Sequence, residues 1–141
     1  MEDVEFARCL LQRENLNLVI VKEGQVLLSS REGGLRPFFQ AIASKGDDIH
    51  GAAIADKISS TAPAMLCLYA QIASVYADIV STQALAMLRE KGVTITGKNE
   101  VPHIFNYDGT DLCPFDKLTL KCKEPSQLFS ALESFFAEGN L

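Results

Sequence analysis

The stretch SVYADIVSTQALAMLREKG, Ser74 to Gly92, decides the fold. Its first half, SVYADIVS, is a short apolar run with Asp78 as its one charge, the pattern of a strand covered on both faces in a parallel sheet. Its second half, TQALAMLREKG, reads as a helix capped by Ser81 or Thr82 and closed by Lys91-Gly92. A buried strand running straight into a helix is the repeating unit of an α/β sheet.

Upstream, Ser59 to Ala77 is uncharged and has almost the length of a membrane span. Pro63, Gln71 and the Ser59-Ser60-Thr61 cluster interrupt it, and the period changes around Ser74, so it reads as a buried helix feeding a buried strand. GDDIHGAAIADKISS before it reads as a loop and an alanine-rich helix, with Ala53, Ile54 and Lys57-Ile58 spaced to give one buried and one wet face. In REGGLRPFFQAIAS, Gly33-Gly34 is a connector and Pro37 suits the first turn of a helix. Backbone amides there could hold an anion beside Arg31 and Arg36, or the glycine pair is an ordinary β-to-α turn; the spacing is not that of a Walker loop. LNLVIVKEGQVLLSS offers two antiparallel strands, Leu16 to Val21 and Gln25 to Ser29, joined at Lys22-Glu23-Gly24. EDVEFARCLLQREN, with Val4, Phe6, Leu10 and Leu11, makes a first helix that stops at Asn15.

Downstream, VTITG and VPHIFN read as two short strands around Lys98-Asn99, and YDGT as a turn. Pro114 opens a short helix to about Leu120, and EPSQLFSALESFFAEG a final one with Leu128, Leu132 and Phe135 at helical spacing. The order α, ββ, α, β, α, ββ, α predicts one domain over residues 1–141, a three-layer α/β/α sandwich with a mixed sheet.

Composition narrows the function classes. A chain of 141 residues with 48% apolar residues buries a real core. A net charge of −5 provides no field to draw nucleic acid, so no nucleic-acid partner is expected, and no membrane partner either. The acidic start MEDVEFARCLLQ is unlike a signal peptide, which predicts a cytoplasmic protein. Cys9, Cys67, Cys113 and Cys122 form no CxxC and no zinc-finger pairing, so structural zinc is disfavoured, and no cofactor motif stands out.

HGAAIADK, VYADIVSTQAL and NYDGTDLCPFDKL resemble a small family of prokaryotic proteins known as a domain of unknown function, whose fold is cytidine-deaminase-like. The similarity runs from the first hairpin to the final helix. Deaminases carry H-x-E at one helix start and P-C-x-x-C at the next, holding zinc and a proton-shuttling glutamate. Here His50 is followed by Gly51-Ala52, and VSTQAL places Ser81 and Thr82 where thiolates belong. The resemblance therefore implies the fold without zinc chemistry, and a ligand region near the carboxyl ends of the central strands containing His50, Asp56, Lys57, Ser81 and Thr82.

In DGTDLCPFDKL, Cys113 precedes Pro114 and falls at a helix N-cap, where the helix dipole favours a thiolate. Asp111 and Asp116 oppose that ionisation, while Asp116 is placed to cap the same helix reciprocally. Two readings stand: Cys113 is a reactive or ligand-contacting thiol, or it fills a small gap. Asp56 and Lys57, adjacent in the expected helix, point about 100° apart. A buried Lys57 would need a partner such as Asp78. His50 and His103 are isolated in sequence. The functions carried forward are a small polar or nucleotide-like ligand bound at Lys57, Asp56, Ser81, Thr82, Asp111 and Asp116; a Cys113-dependent enzyme or sulfur-handling protein; and a structural homodimer.

Overall fold

The computed structural model describes residues 1–105 and 109–139. Helix α1 (Asp3–Arg13) leads into the hairpin of β1 (Leu18–Lys22) and β2 (Gln25–Ser30). Helix α2 (Arg36–Lys45) and a 3-10 turn (Gly46–Ile49) precede β3 (Ala53–Ser59), α3 (Thr61–Tyr69), β4 (Ser74–Ser81), α4 (Thr82–Glu90) and β5 (Thr94–Val101). Two helices close the chain, α5 (Pro114–Thr119) and α6 (Pro125–Ala137). The strands form one mixed sheet, ordered β2-β1-β3-β4-β5. The β1 strand is antiparallel to β2 and β3, while β3, β4 and β5 are parallel.

The hairpin turns on Glu23 and Gly24, both at positive φ (52° and 77°), as a two-residue turn between right-twisted strands requires. Asp3 fastens that turn to α1 by accepting the Glu23 and Gly24 backbone N–H groups at 2.8 and 3.0 Å. On one face of the sheet α1 packs Ala7, Leu10 and Leu11 over Val19, Val21, Ala55 and Tyr76. The opposite face carries the larger core, where Phe38 and Ile42 of α2, Leu66 of α3, Leu88 of α4 and Leu132 of α6 are all buried. The sandwich thus has one helix on one side and a helical layer on the other.

Two expectations are corrected. GAAIADKIS is not a helix: it is β3, bonded to β1 on one side and β4 on the other. Alanine favours a helix intrinsically, but between two strands and beneath α1 the small side chains of Ala53 and Ala55 are buried as sheet residues. VTITG and VPHIFN are not two strands about Lys98-Asn99, because β5 runs unbroken from Thr94 to Val101, with Ala77 opposite Gly97 and Ile79 opposite Asn99. Gly97 answers a close approach instead of a turn, since a Cβ there would lie 2.4 Å from Val80 Cγ1. Past β5, Phe105 pairs with Leu112 in an isolated bridge, and the YDGT turn falls partly outside the described residues. Ser59 to Ala77 folds as α3 and β4, and among the described residues no helix is long and apolar enough to cross a membrane.

Candidate functional site

The carboxyl ends of the parallel strands β3 and β4 meet the starts of α3 and α4, the place where open α/β sheets bind ligands. A cavity of about 270 Å³ opens beside the end of β3. Its walls come from four segments: Asn17 and Leu18 at the start of β1, Glu32 to Leu35 with Phe38 around the start of α2, Asp56 to Ile58 and Ser60 with Ala62 and Pro63 across the β3–α3 junction, and Ile104, Cys113 and Phe115 from the C-terminal segment. Most of this surface is hydrocarbon.

Asp56 is the polar centre of that wall. It stands between Leu18 of β1 and Ala77 of β4 in the sheet register, both members of the larger core, so its carboxyl points to the cavity side of the sheet. Burial pushes it from 3.8 up to about 7; hydrogen bonds from the Ile58 and Lys57 backbone N–H groups oppose that rise, and the negative Asp78 adds to it. Lys57 borders the cavity but, in a strand, its side chain leaves from the opposite face, where Nζ lies 3.3 Å from Asn15 Oδ1. The Lys57–Asp78 pair foreseen from the sequence does not form. Asp78 instead accepts the Tyr76 hydroxyl at 2.6 Å, and that hydroxyl accepts Gln12 Nε2 at 3.1 Å. Desolvation, together with the bond and the charge of Asp78, pushes the Tyr76 phenol up to about 12.

The other sequence-selected residues divide sharply. Cys113 stands at the N-cap of α5, half-buried, and lines the cavity; its backbone N–H donates to Ile104 O at 3.2 Å. Asp116 does not cap its own helix. It is buried and reaches α3, accepting Ser60 Oγ at 2.8 Å and the Ala62 backbone N–H at 3.0 Å on one carboxylate oxygen. That is a helix cap supplied from more than fifty residues away, and it fixes α5, with Cys113, against the start of α3. Thr61 and Thr119 reinforce the seam through hydroxyls 3.0 Å apart. Ser81 caps α4 by accepting the Ala84 N–H at 3.2 Å, and Thr82 donates to Glu100 at 3.0 Å. Asp111 pairs with Lys117, which with the Leu112 N–H holds its carboxyl below the usual range. Ser81, Thr82, Asp111 and Asp116 are not among the residues lining the cavity, so the structure gathers Asp56, Lys57 and Cys113 but not the whole foreseen set.

His50 lies at the amino end of β3, beside Asp47 at 3.6 Å, away from the α3 start. It therefore cannot mark the helix start that carries H-x-E; the helix following β3 opens with Ser60-Thr61-Ala62. His103 is exposed just past β5. The sequence reading missed Ser60, Asn17 and Phe38 as cavity residues. The signal for Ser60 was the Ser59-Ser60-Thr61 cluster, since hydroxyl residues mark strand-to-helix junctions.

A model of a domain of unknown function, DUF1893, matches residues 6–136. The chain belongs to the DUF1893 family. Among solved structures, a DUF1893 family protein from Thermotoga maritima superimposes with a TM-score of 0.82 at 24% identity, covering 94% of this chain and 88% of that one. Acinetobacter baumannii RibD matches 67% of this DUF1893 chain at 17% identity with a TM-score of 0.50, and the chain spans only a third of RibD. A dCMP deaminase from cyanophage S-TIM5 follows at 16% identity and 0.48, over 70% of this chain and 94% of that one. No curated protein matches the sequence. The fold of this DUF1893 protein is cytidine-deaminase-like.

The helix starts that hold zinc in deaminases offer Ser60, Thr61, Ser81 and Thr82 here, neutral hydroxyls in place of imidazole and thiolate. The nearby Asp116 oxygen already accepts two hydrogen bonds from α3. This donor set does not fit a zinc ion.

Proposed function

We propose that residues 1–141 of this DUF1893 protein act as one domain that binds a small ligand in the cavity at the end of β3. The observation that carries the reading is the partly open cavity of about 270 Å³ in which the Asp56 carboxyl, Asn17, Ser60 and the Cys113 thiol meet apolar walls at the carboxyl ends of the parallel strands. An apolar cavity of about 150 Å³ holds benzene, so this one has room for a substituted ring but not for a large cofactor. Asp56, Lys57 and Cys113 border the ligand; Ser81, Thr82, Asp111 and Asp116 hold the surrounding helices and loops in place.

Thermal-shift screening against nucleobases, nucleosides and small metabolites tests this. A ligand at a hundred times its Kd stabilises the fold by about 2.7 kcal/mol. The rise must saturate, and it must vanish in Ile58→Trp, which narrows the cavity from an exposed position (Ile58 is 43% exposed) without touching the core. Stabilisation unchanged by that substitution places the ligand elsewhere.

A second reading follows from Cys113 lining the same cavity: a thiol that loses its proton to solvent and, as thiolate, displaces a leaving group from an electrophilic carbon of a bound substrate, or takes the outer sulfur of a bound persulfide with release of the donor thiol. Its test is alkylation across pH. A Cys113 that reacts no faster than an exposed model thiol and is not protected by ligand counts against it.

A further inference from the structure

We propose, resting on the reading of this cavity as a ligand site, that its occupant is a small organic cation with an apolar body, an amine or amidine, and not a phosphorylated molecule. The argument is the balance of charge around the cavity. Asp56 faces it from the centre of the sheet, and Glu32 lies at its rim. Lys57 is the one cationic side chain among the described lining residues, and its ammonium is committed to Asn15 on the far face. The remaining walls, among them Leu35, Phe38 and Phe115, offer hydrocarbon surface to a ring in this partly open space.

An anion entering this space meets two carboxylates, while Arg36 at the start of α2 lines the neighbouring cleft with Phe136 and is not among the residues lining this one. A cation relieves the cost that Asp56 bears when ionised beneath the core. An N–H-rich group also suits the hydrogen bonding: the Asp56 carboxylate can accept more than the backbone N–H groups of Ile58 and Lys57 that lower its proton affinity, and the Lys57 N–H is itself given to Asn17 O at 3.0 Å. The titratable groups around Asp56 are Glu32 from the β2–α2 loop, Cys67 of α3, Asp78 of β4, Cys113 before α5 and Lys57 on its own strand. Burial raises the Cys67 thiol well above its ordinary value, so it is neutral throughout the range of the test.

The experiment uses the full chain and matched probes: benzylamine and benzamidine against benzoate, phenyl phosphate and neutral benzyl alcohol, followed by protein-observed NMR titration at pH 6 to 8.5. Benzylamine or benzamidine is expected to shift Asp56 and Cys113 resonances and to bind at least tenfold more tightly than benzoate. Because the empty site holds its proton up to about pH 7, affinity for the cation should rise toward tenfold per pH unit below that point and level off above it. Asp56→Asn should abolish the preference while leaving benzyl alcohol binding in place. Tighter binding of benzoate or phenyl phosphate, unaffected by Asp56→Asn, overturns the charge assignment and leaves the cavity as a ligand site. Failure of every probe, benzyl alcohol included, overturns both.

Discussion

Replacing Asp56 by asparagine removes a titratable carboxyl from the cavity while keeping its shape, and the consequence for folding is a pH-dependent stabilisation. Burial raises the carboxyl from 3.8 to about 7, so the folded protein binds this proton more tightly than the unfolded chain does. Between about pH 4 and 7 the unfolded chain has released a proton that the fold still holds, and stability falls as pH rises through that window. Above 7 both states are ionised and the whole penalty is present. Each tenfold change in proton affinity is worth about 1.4 kcal/mol, which makes the penalty at most about 4 kcal/mol. Asp56 keeps part of its surface accessible, and solvent entering the cavity reduces the figure to about 2–3 kcal/mol. Asparagine forfeits one of the two backbone N–H contacts, at a cost of about 1 kcal/mol that does not vary with pH. Asp56→Asn is thus expected to be less stable than the parent by about 1 kcal/mol at pH 4 and more stable by about 1–2 kcal/mol at pH 8. Urea denaturation of both proteins at pH 4, 5, 6, 7 and 8 measures the difference directly. A difference that stays constant from pH 4 to 8 refutes the placement of an ionisation penalty at Asp56.

Other outcomes follow from the same structure. Asp116→Ala should destabilise the fold by about 3 kcal/mol, since it strips Ser60 and Ala62 of a buried acceptor, and it should loosen the α5 wall of the cavity; proteolysis near Pro114 in the variant reads the second effect. Gly97→Ala should cost about 1–3 kcal/mol in chemical denaturation, because its new methyl collides with Val80, and Val80→Ala should recover part of that loss in the double variant. In the folded protein N-ethylmaleimide should label Cys113 well before Cys67, which is 2% exposed, as peptide mass spectrometry would show; equal rates would contradict the burial described.

The sequence made the βα unit at Ser74–Gly92 legible because a doubly covered strand and a capped helix have different periods, and both survive packing unchanged. It misread β3 because the identities of Ala53 and Ala55 point to helix on propensity, whereas their use here is to be small beneath α1. That error carried into the site. In a helix Asp56 and Lys57 diverge by about 100°, but in the strand they leave from opposite faces, which puts the carboxyl toward the cavity and the ammonium toward Asn15. Cys113 and Pro114 were readable as a helix start from local chemistry alone. The partner of Asp116 was not, because nothing within a few residues announces a cap delivered to a helix more than fifty positions earlier.

The same long-range cap ties two helix starts of this deaminase-like fold together through hydrogen bonds. Metal ligands at two helix starts also act as a clasp, tying adjacent elements at the carboxyl ends of the strands. Here the Asp116 carboxylate does the tying between α3 and α5 by hydrogen bonds, with Thr61 and Thr119 beside it and Ser81 closing α4 on its own. Those polar groups are therefore consumed by structure. The carboxyl that faces the cavity from the sheet is the one further back along β3, at Asp56, in a wall that also holds Phe38 and Cys113. Asp56→Asn and Asp116→Asn separate the two roles: the first should change binding with no loss of stability at neutral pH, and the second stability with binding retained in the fraction that folds.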